Sequence, residues 1–420
     1  MLASVVLAAA IGAATIDWTT LGPLYRDLHA HPELSFEERA TAGKLAERLR
    51  ALGFEVTVGV GKTGIVGILK NGAGPTVMLR TELDALPVKE KTGLSFASAA
   101  TATNAAGETV PVMHACGHDL HMTTWVGSAT WLSANRGRWR GTLMMVGQPA
   151  EEVGGGARAM LDDGVFTRFP RPDAALAVHD TDLLPSGMIG VRKGPLLASA
   201  DSVDITVYGR GGHGASPQKT VDPIVIAAKI VMGLQTLVSR ENDPFQPAVV
   251  TVGSIHGGTK HNIIPDEVRM QLTVRAFDEG VRQRLLRGIE RIAKAEAEAA
   301  DAPRPPDVRA SDATPVTSND GALADRIRPA LERALGADRV VEAAPITASE
   351  DFGLYGRAGV PSVMMWLGAV EPATFARARK DGVTLPGLHS PLWAPDAERA
   401  TGTGVEALVA AALAVFAPGE

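Results

Sequence analysis

Cysteine occurs once in 420 residues, at Cys116, so the chain cannot close a disulfide within itself. That leaves the compartment open, because a protein without disulfides suits reducing and oxidising surroundings alike. The sequence has no long basic run and a formal net charge of −6, which gives no electrostatic footprint for nucleic acid. Internal repeats and low-complexity segments are absent as well. The apolar stretch at the start, MLASVVLAAAIGAA (1–14), is too short to span a bilayer as a helix, and no membrane partner is expected. It resembles the hydrophobic and small-residue parts of an export signal, which implies a periplasmic destination and otherwise a cytoplasmic one. Against that, no Lys or Arg precedes it and the first basic residue is Arg26; an apolar helix packed on the body is the alternative.

What is present is ordinary globular composition, 45% apolar and 21% charged, with 45 glycines and 27 prolines that imply many tight turns. A length of 420 residues exceeds what one core serves, so two domains are expected. From residue 20 onward, strand-like apolar runs alternate with helical patterns: GIVGILK (64–70), PTVMLR (75–80), GTLMMVGQPAEE (141–152) and AALAVHD (174–180). Such alternation predicts an α/β architecture with a largely parallel sheet, in which sites collect at the carboxyl ends of strands. Asp84, Glu151, Glu152 and His179 all fall just after these runs.

Near residue 200 the pattern changes. SVDITVY (202–208), AVVTVGSI and EVRMQLTVRAF alternate with period two, and residues 221–238 and 279–300 read as helices. Arg275 falls on the wet face of its strand, opposite Val268, Met270, Leu272 and Val274. The Pro-rich DAPRPPD (301–307) reads as a linker. Residues 197–306 therefore form an expected antiparallel-sheet insert in a main domain of residues 15–196 and 307–420. Two glycine-rich segments mislead. GVGKTG (59–64) has Val56 where a phosphate-binding loop needs glycine, and GRGGHG (209–214) lacks the helix and the acidic partner of a dinucleotide fingerprint.

The lone Cys116 sits in MHACGHDLHM (113–122) with three histidines. Thiolate, imidazole and carboxylate together suit a borderline-soft divalent ion, and Cys116 and His118 can converge on one if the chain turns at Gly117. A buried thiol, or a nucleophilic cysteine activated by a neighbouring histidine, fits the local pattern as well. Glu151 and Glu152 end an apolar strand ahead of a glycine run. Adjacent carboxylates repel, so keeping both there calls for a cation or a shared proton, unless they form a solvated acidic turn. One could bind metal while the other takes a proton from water. His179, and His389 in GLHSPLW, are singly more often packed histidines than ligands. With Cys116, His118 and Glu152 they make a set suited to two ions.

Across nearly its whole length the chain resembles the metal-dependent aminoacylase and carboxypeptidase family of peptidases, in the amidohydrolase branch that includes hippurate hydrolase and the hydrolases of auxin conjugates. The resemblance runs through DLHAHPELSFEE (27–38), LRTELDALPVKEKTGL (79–94), MHACGHDLHM, GQPAEEVGGGA, GGHGASPQKTVDP (211–223), HNIIPDEV (261–268), ASEDF (348–352) and LHSP (388–391). It implies a ferredoxin-like α+β insert that lids the cleft and forms a homodimer. It further implies two divalent ions (Zn, Mn, Co or Ni) held by Cys116, His118, Glu152, His179 and His389, with Glu151 as general base. His213 would stabilise the oxyanion in a neighbouring active site, and Asn262 and Arg275 would contact the substrate carboxylate. Asp84 and Asp119 would orient histidines or support the base. The expected substrate is an N-acyl amino acid, hydrolysed by metal-activated water; a dipeptidase or carboxypeptidase on the same site, a non-catalytic carrier and a cysteine hydrolase are the alternatives. One departure stands out, Glu82 where the branch usually has Asp.

Overall fold

The computed structural model describes residues 16–311 and 314–417. The export-signal reading of residues 1–14 lies outside them. The chain divides into two compact units, one running to Gly194 and resuming over Ser318–Ala344 and from Leu354, the other made of Pro195–Thr317 and Pro345–Gly353.

In the first unit eight strands form one sheet in the order Glu55–Val60, Gly64–Asn71, Gly141–Gln148, Thr76–Glu82, Ala174–Pro185, Ser362–Val370, Ile189–Val191, Val340–Glu342. The four at the centre run parallel; on one side Gly64–Asn71 and then Glu55–Val60 each pair antiparallel, and on the other Ile189–Val191 pairs antiparallel to the centre and parallel to Val340–Glu342. Thr76–Glu82 and Ser362–Val370 are buried at every position. That is why PTVMLR and SVMMWLGAV read as continuous apolar runs rather than alternating ones. Two helices, His118–Ala134 and Ala397–Phe416, are buried along most of their length and share one core with Leu79, Met145, Leu176 and Met365 of the sheet.

The second unit carries a four-stranded antiparallel sheet in the order Ala248–His256, Glu267–Ala276, Ser199–Tyr208, Asp307–Ala310. Helices Pro223–Thr236 and Glu279–Glu298 bury Ile226, Ile230, Leu285 and Ile289 against Val203, Ile205, Met270 and Leu272. Their starts are fixed locally, since the Asp222 and Asp278 side chains accept the N–H groups of Ile224 and Val281.

The insert extends further than its sequence suggests. The main domain was expected to resume at residue 307, but Asp307–Thr206 through Ala310–Val203 are paired in the insert's sheet. That edge strand is largely exposed and carries one strongly apolar residue, Val308, so hydrophobic alternation does not reveal it. The segment containing ASEDF also belongs with the insert, joined by the bridge between Leu197 and Ile346.

Candidate metal centre

The centre is built on a reversal at Gly117. Its φ of +71° is left-handed, and a Cβ there would lie 2.2 Å from Oδ2 of Asp180. Glycine alone meets both conditions without strain. The turn leaves Cys116 before, and His118 at the start of, the buried helix His118–Ala134. His179 does not end its strand, as its sequence context suggests, because the strand continues to Pro185. The ladder to Thr76–Glu82 stops with Arg80 opposite Ala177, however, which frees His179 on that side. His389 arrives from near the C-terminus with a left-handed φ of +65°, its backbone N–H donating to the carbonyl of Ala115 at 2.7 Å. That bond seats it beside Cys116.

All five proposed ligands converge. Sγ of Cys116 lies 3.3 Å from Nε2 of His389 and 3.6 Å from Nε2 of His179. Glu152 faces two ways, with Oε2 3.5 Å from Nε2 of His389 and Oε1 3.8 Å from Nε2 of His118. Glu151 lies alongside, its Oε2 4.0 Å from Nε2 of His118. Ligand atoms of Cys116, Glu152 and His389, and those of His118, Glu151 and Glu152, form two groups each within 4.8 Å. Two overlapping groups sharing Glu152 match a dinuclear centre.

The donor chemistry fits a pair of divalent ions. Nε2 of His118 and Oε1 of Glu152 are buried with no hydrogen-bond partner among the described residues, a costly arrangement that a cation between them would resolve. Burial, reinforced by Glu152 and Glu151, pushes the Cys116 thiol well up, and burial lifts Glu152 to about 7. Burial opposes protonation of His118, but Asp84, Glu82 and Glu152 outweigh it and push the imidazole up to about 10. Each shift marks a site that favours added positive charge, which bound cations supply while drawing protons off the thiol and imidazoles.

A second layer fixes the ligands. Nδ1 of His118 donates to the Asp84 carbonyl at 2.7 Å and Nδ1 of His179 to the Asp180 carbonyl at 2.9 Å, so Nε2 of each is left for an ion. The Asp84 carboxylate accepts the N–H groups of Glu151 and Glu152 at 3.1 and 3.0 Å and the Ser35 hydroxyl at 2.6 Å. Asp119 does hold a histidine, but it is His29, at 2.7 Å, outside the ligand set; His29 in turn reaches Glu90 at 3.1 Å.

From sequence, His121 stands out only as a member of MHACGHDLHM and Glu82 only as a departure from the usual Asp, and Asp180 is given no role. Their distances alone would let Glu82 and His121 join His118 and His179 around an ion. Their atoms are already engaged: Glu82 pairs with Arg80 and with Nδ1 of His121, and Nε2 of His121 accepts the Asp180 N–H at 2.8 Å. They orient rather than bind. Asp180 also accepts from the Trp393 indole at 3.1 Å. The signal for His121 was its spacing, three residues beyond His118 and hence on the same helix face. Glu82, the departure from the usual Asp, uses its added length to reach both Arg80 and His121.

The remaining three candidates lie in the insert. His213 pairs with Ile263 in a short two-stranded ribbon, and Gly214 donates to the Asn262 carbonyl at 2.9 Å, which brings His213 and Asn262 together. Nδ1 of His213 accepts the Ala215 N–H at 3.0 Å, so the neutral ring carries its proton on Nε2. Arg275 stands between the buried Val274 and Ala276 on the opposite face, half-buried, as its alternation implies.

Comparison with known proteins agrees with this geometry. Residues 78–380 match the model of Peptidase family M20/M25/M40. The chain is 38% identical over 344 residues to a thermostable carboxypeptidase 2 of Saccharolobus solfataricus, covering 81% of this chain and 83% of that one. It is 37% identical over 330 residues to a hippurate hydrolase of Campylobacter jejuni, covering 78% and 82%. The crystal structure of the Bacillus subtilis YXEP protein, described as a dinuclear metal-binding peptidase of the M20 family, superposes with a TM-score of 0.77 at 32% identity over 95% of this chain and 98% of that one. The chain is a metal-dependent hydrolase of amide bonds in amino-acid-like substrates, and its cluster of candidate ligands for two divalent ions has the Glu151 carboxylate beside it. The chain belongs to peptidase family M20/M25/M40, in its amidohydrolase branch.

Proposed function

We propose that the protein hydrolyses N-acyl amino acids of the kind cleaved by hippurate hydrolases and aminoacylases, releasing a carboxylic acid and an amino acid. The observation that carries this reading is the division of labour between adjacent glutamates: both Glu152 oxygens face candidate ligand histidines, while Glu151 lies beside the cluster. Two divalent ions held by Cys116, His118, Glu152, His179 and His389 would supply Lewis acidity, polarising the amide carbonyl and acidifying water. Glu151 takes the proton from the water that attacks the carbonyl carbon. It then delivers that proton to the amide nitrogen as the C–N bond breaks, so the amino acid leaves as a neutral amine.

Residues of the insert complete the site in this reading. His213, with Nε2–H free to donate, stabilises the oxyanion in the active site of a second copy in a homodimer. Asn262 and Arg275 bind the substrate carboxylate, for which a guanidinium offers a two-pronged grip. A metallo-carboxypeptidase is the second reading, favoured by the similarity to the Saccharolobus solfataricus carboxypeptidase. Assays of N-benzoyl and N-acetyl amino acids against unblocked dipeptides separate the two. The mechanism is tested with Glu151→Gln, which is expected to keep two metal equivalents and lose turnover by about 10²–10⁴-fold; turnover near that of the unaltered enzyme would refute it.

A further inference from the structure

In HPELSFEE (31–38), Ser35 supports the Asp84 carboxylate, but the motif supplies no candidate ligand and no base. Its last residue, Glu38, is fully buried although it carries a carboxylate. Oε1 of Glu38 accepts two backbone N–H groups at 2.8 Å, from Phe36 and from Ala150. Oε2 accepts the Thr63 hydroxyl. Phe36 and Ala150 both have left-handed backbones, at φ +65° and +50°. Non-glycine residues hold that conformation only where the surroundings enforce it.

Ala150 immediately precedes Glu151. With the two bonds from Asp84, three successive N–H groups, those of residues 150, 151 and 152, are each held by a buried carboxylate. From below, the turn is closed by Gly155 and Gly156, which donate to the Ala150 carbonyl at 3.2 and 3.0 Å. Two buried carboxylates near one another repel, so a fold keeping both has a use for the geometry they impose. Asp84 fixes the glutamates themselves. Glu38 fixes the strained residue from which Glu151 departs, and so sets the direction in which the base projects.

We infer that Glu38 is a positioning residue for the general base: by clamping the left-handed Ala150 it aims the Glu151 carboxylate without touching substrate or metal. This rests on the reading of Glu151 as the base. Gln at position 38 retains an oxygen able to accept both N–H groups, Asp retains the charge but falls one methylene short, and Ala removes the clamp. Asp84 still holds both glutamate N–H groups when Glu38 is changed, so Glu152, one residue further from Ala150, is expected to keep its place, and the effect falls on the aim of Glu151 and hence on proton transfer rather than on metal binding.

The test measures kcat, KM and metal content of Glu38→Ala, Glu38→Asp and Glu38→Gln in the full chain, with N-benzoylglycine as substrate and Glu151→Gln alongside. Ala and Asp are expected to lower kcat about tenfold to a hundredfold, with KM within about twofold and two metal equivalents retained, while Gln restores kcat to within about threefold. If Ala does not yield folded protein, Asp decides alone. A kcat within twofold of the unaltered enzyme in Asp, or a fall in kcat that tracks metal loss, overturns the inference. An active Glu151→Gln would instead overturn the assignment of the base, whatever the position 38 variants do.

Discussion

The backbone carbonyl of Asp84 accepts a hydrogen bond from Nδ1 of His118 at 2.7 Å, while the carboxylate of the same residue holds Glu151 and Glu152. One residue thus fixes a histidine tautomer through its main chain and the glutamate turn through its side chain. Substituting Asp84 by Ala spares the first task and removes the second. Metal affinity is expected to fall about 10- to 100-fold, read by titration into metal-stripped protein, with kcat reduced even when metal is saturating.

Chelation provides a second test. Removing metal should abolish amide hydrolysis, and adding Zn, Mn, Co or Ni should restore it. With cobalt, the Cys116 thiolate should give a near-ultraviolet charge-transfer band that Cys116→Ser lacks. Activity that survives chelation but not thiol alkylation would point to a cysteine hydrolase instead.

Gly117→Ala should be among the most damaging single substitutions. The new methyl would lie 2.2 Å from Oδ2 of Asp180 on a left-handed backbone. A loss of about 2–4 kcal/mol in unfolding free energy, with weakened metal binding, is expected from denaturant titration.

His29 supplies a pH signature away from the ligands. Burial opposes its protonation, but Asp119 and Glu90 outweigh it and raise its value from 6.5 to about 9. A histidine whose folded value is raised adds stability that is complete below its unfolded value and is lost as pH climbs through the folded one. The difference in melting temperature between the unaltered protein and His29→Gln should therefore be largest below about pH 6.5 and shrink toward pH 9. A constant difference over that window would show that His29 stays neutral.

Much of this was legible in sequence because the relevant signals are local. Buried strands such as Thr76–Glu82 announce themselves as apolar runs, and Cys116, His118, Glu151 and Glu152 stand beside turns that glycine marks. What stayed hidden depends on partners far along the chain. Asp180 gains its meaning only when Gly117, His121 and Trp393 pack around it, and Glu38 only when Ala150 arrives 112 residues later. The edge strand Asp307–Ala310 was missed for another reason: with most of its side chains in water, its backbone ladder leaves no apolar pattern.

The strand Ser362–Val370 pairs with Ala174–Pro185 across the whole insert, and every one of its residues is buried. During synthesis the first unit's sheet must therefore wait, with the inner edge of Ala174–Pro185 bare, until that late strand leaves the ribosome. The insert's own sheet is complete by Ala310. Chains halted on the ribosome with Ala310 clear of the exit tunnel but Ser362 still inside it should accordingly show a protease-resistant insert beside a sensitive first unit, and the hydrolase becomes competent only after Ser362–Val370 and His389 have emerged.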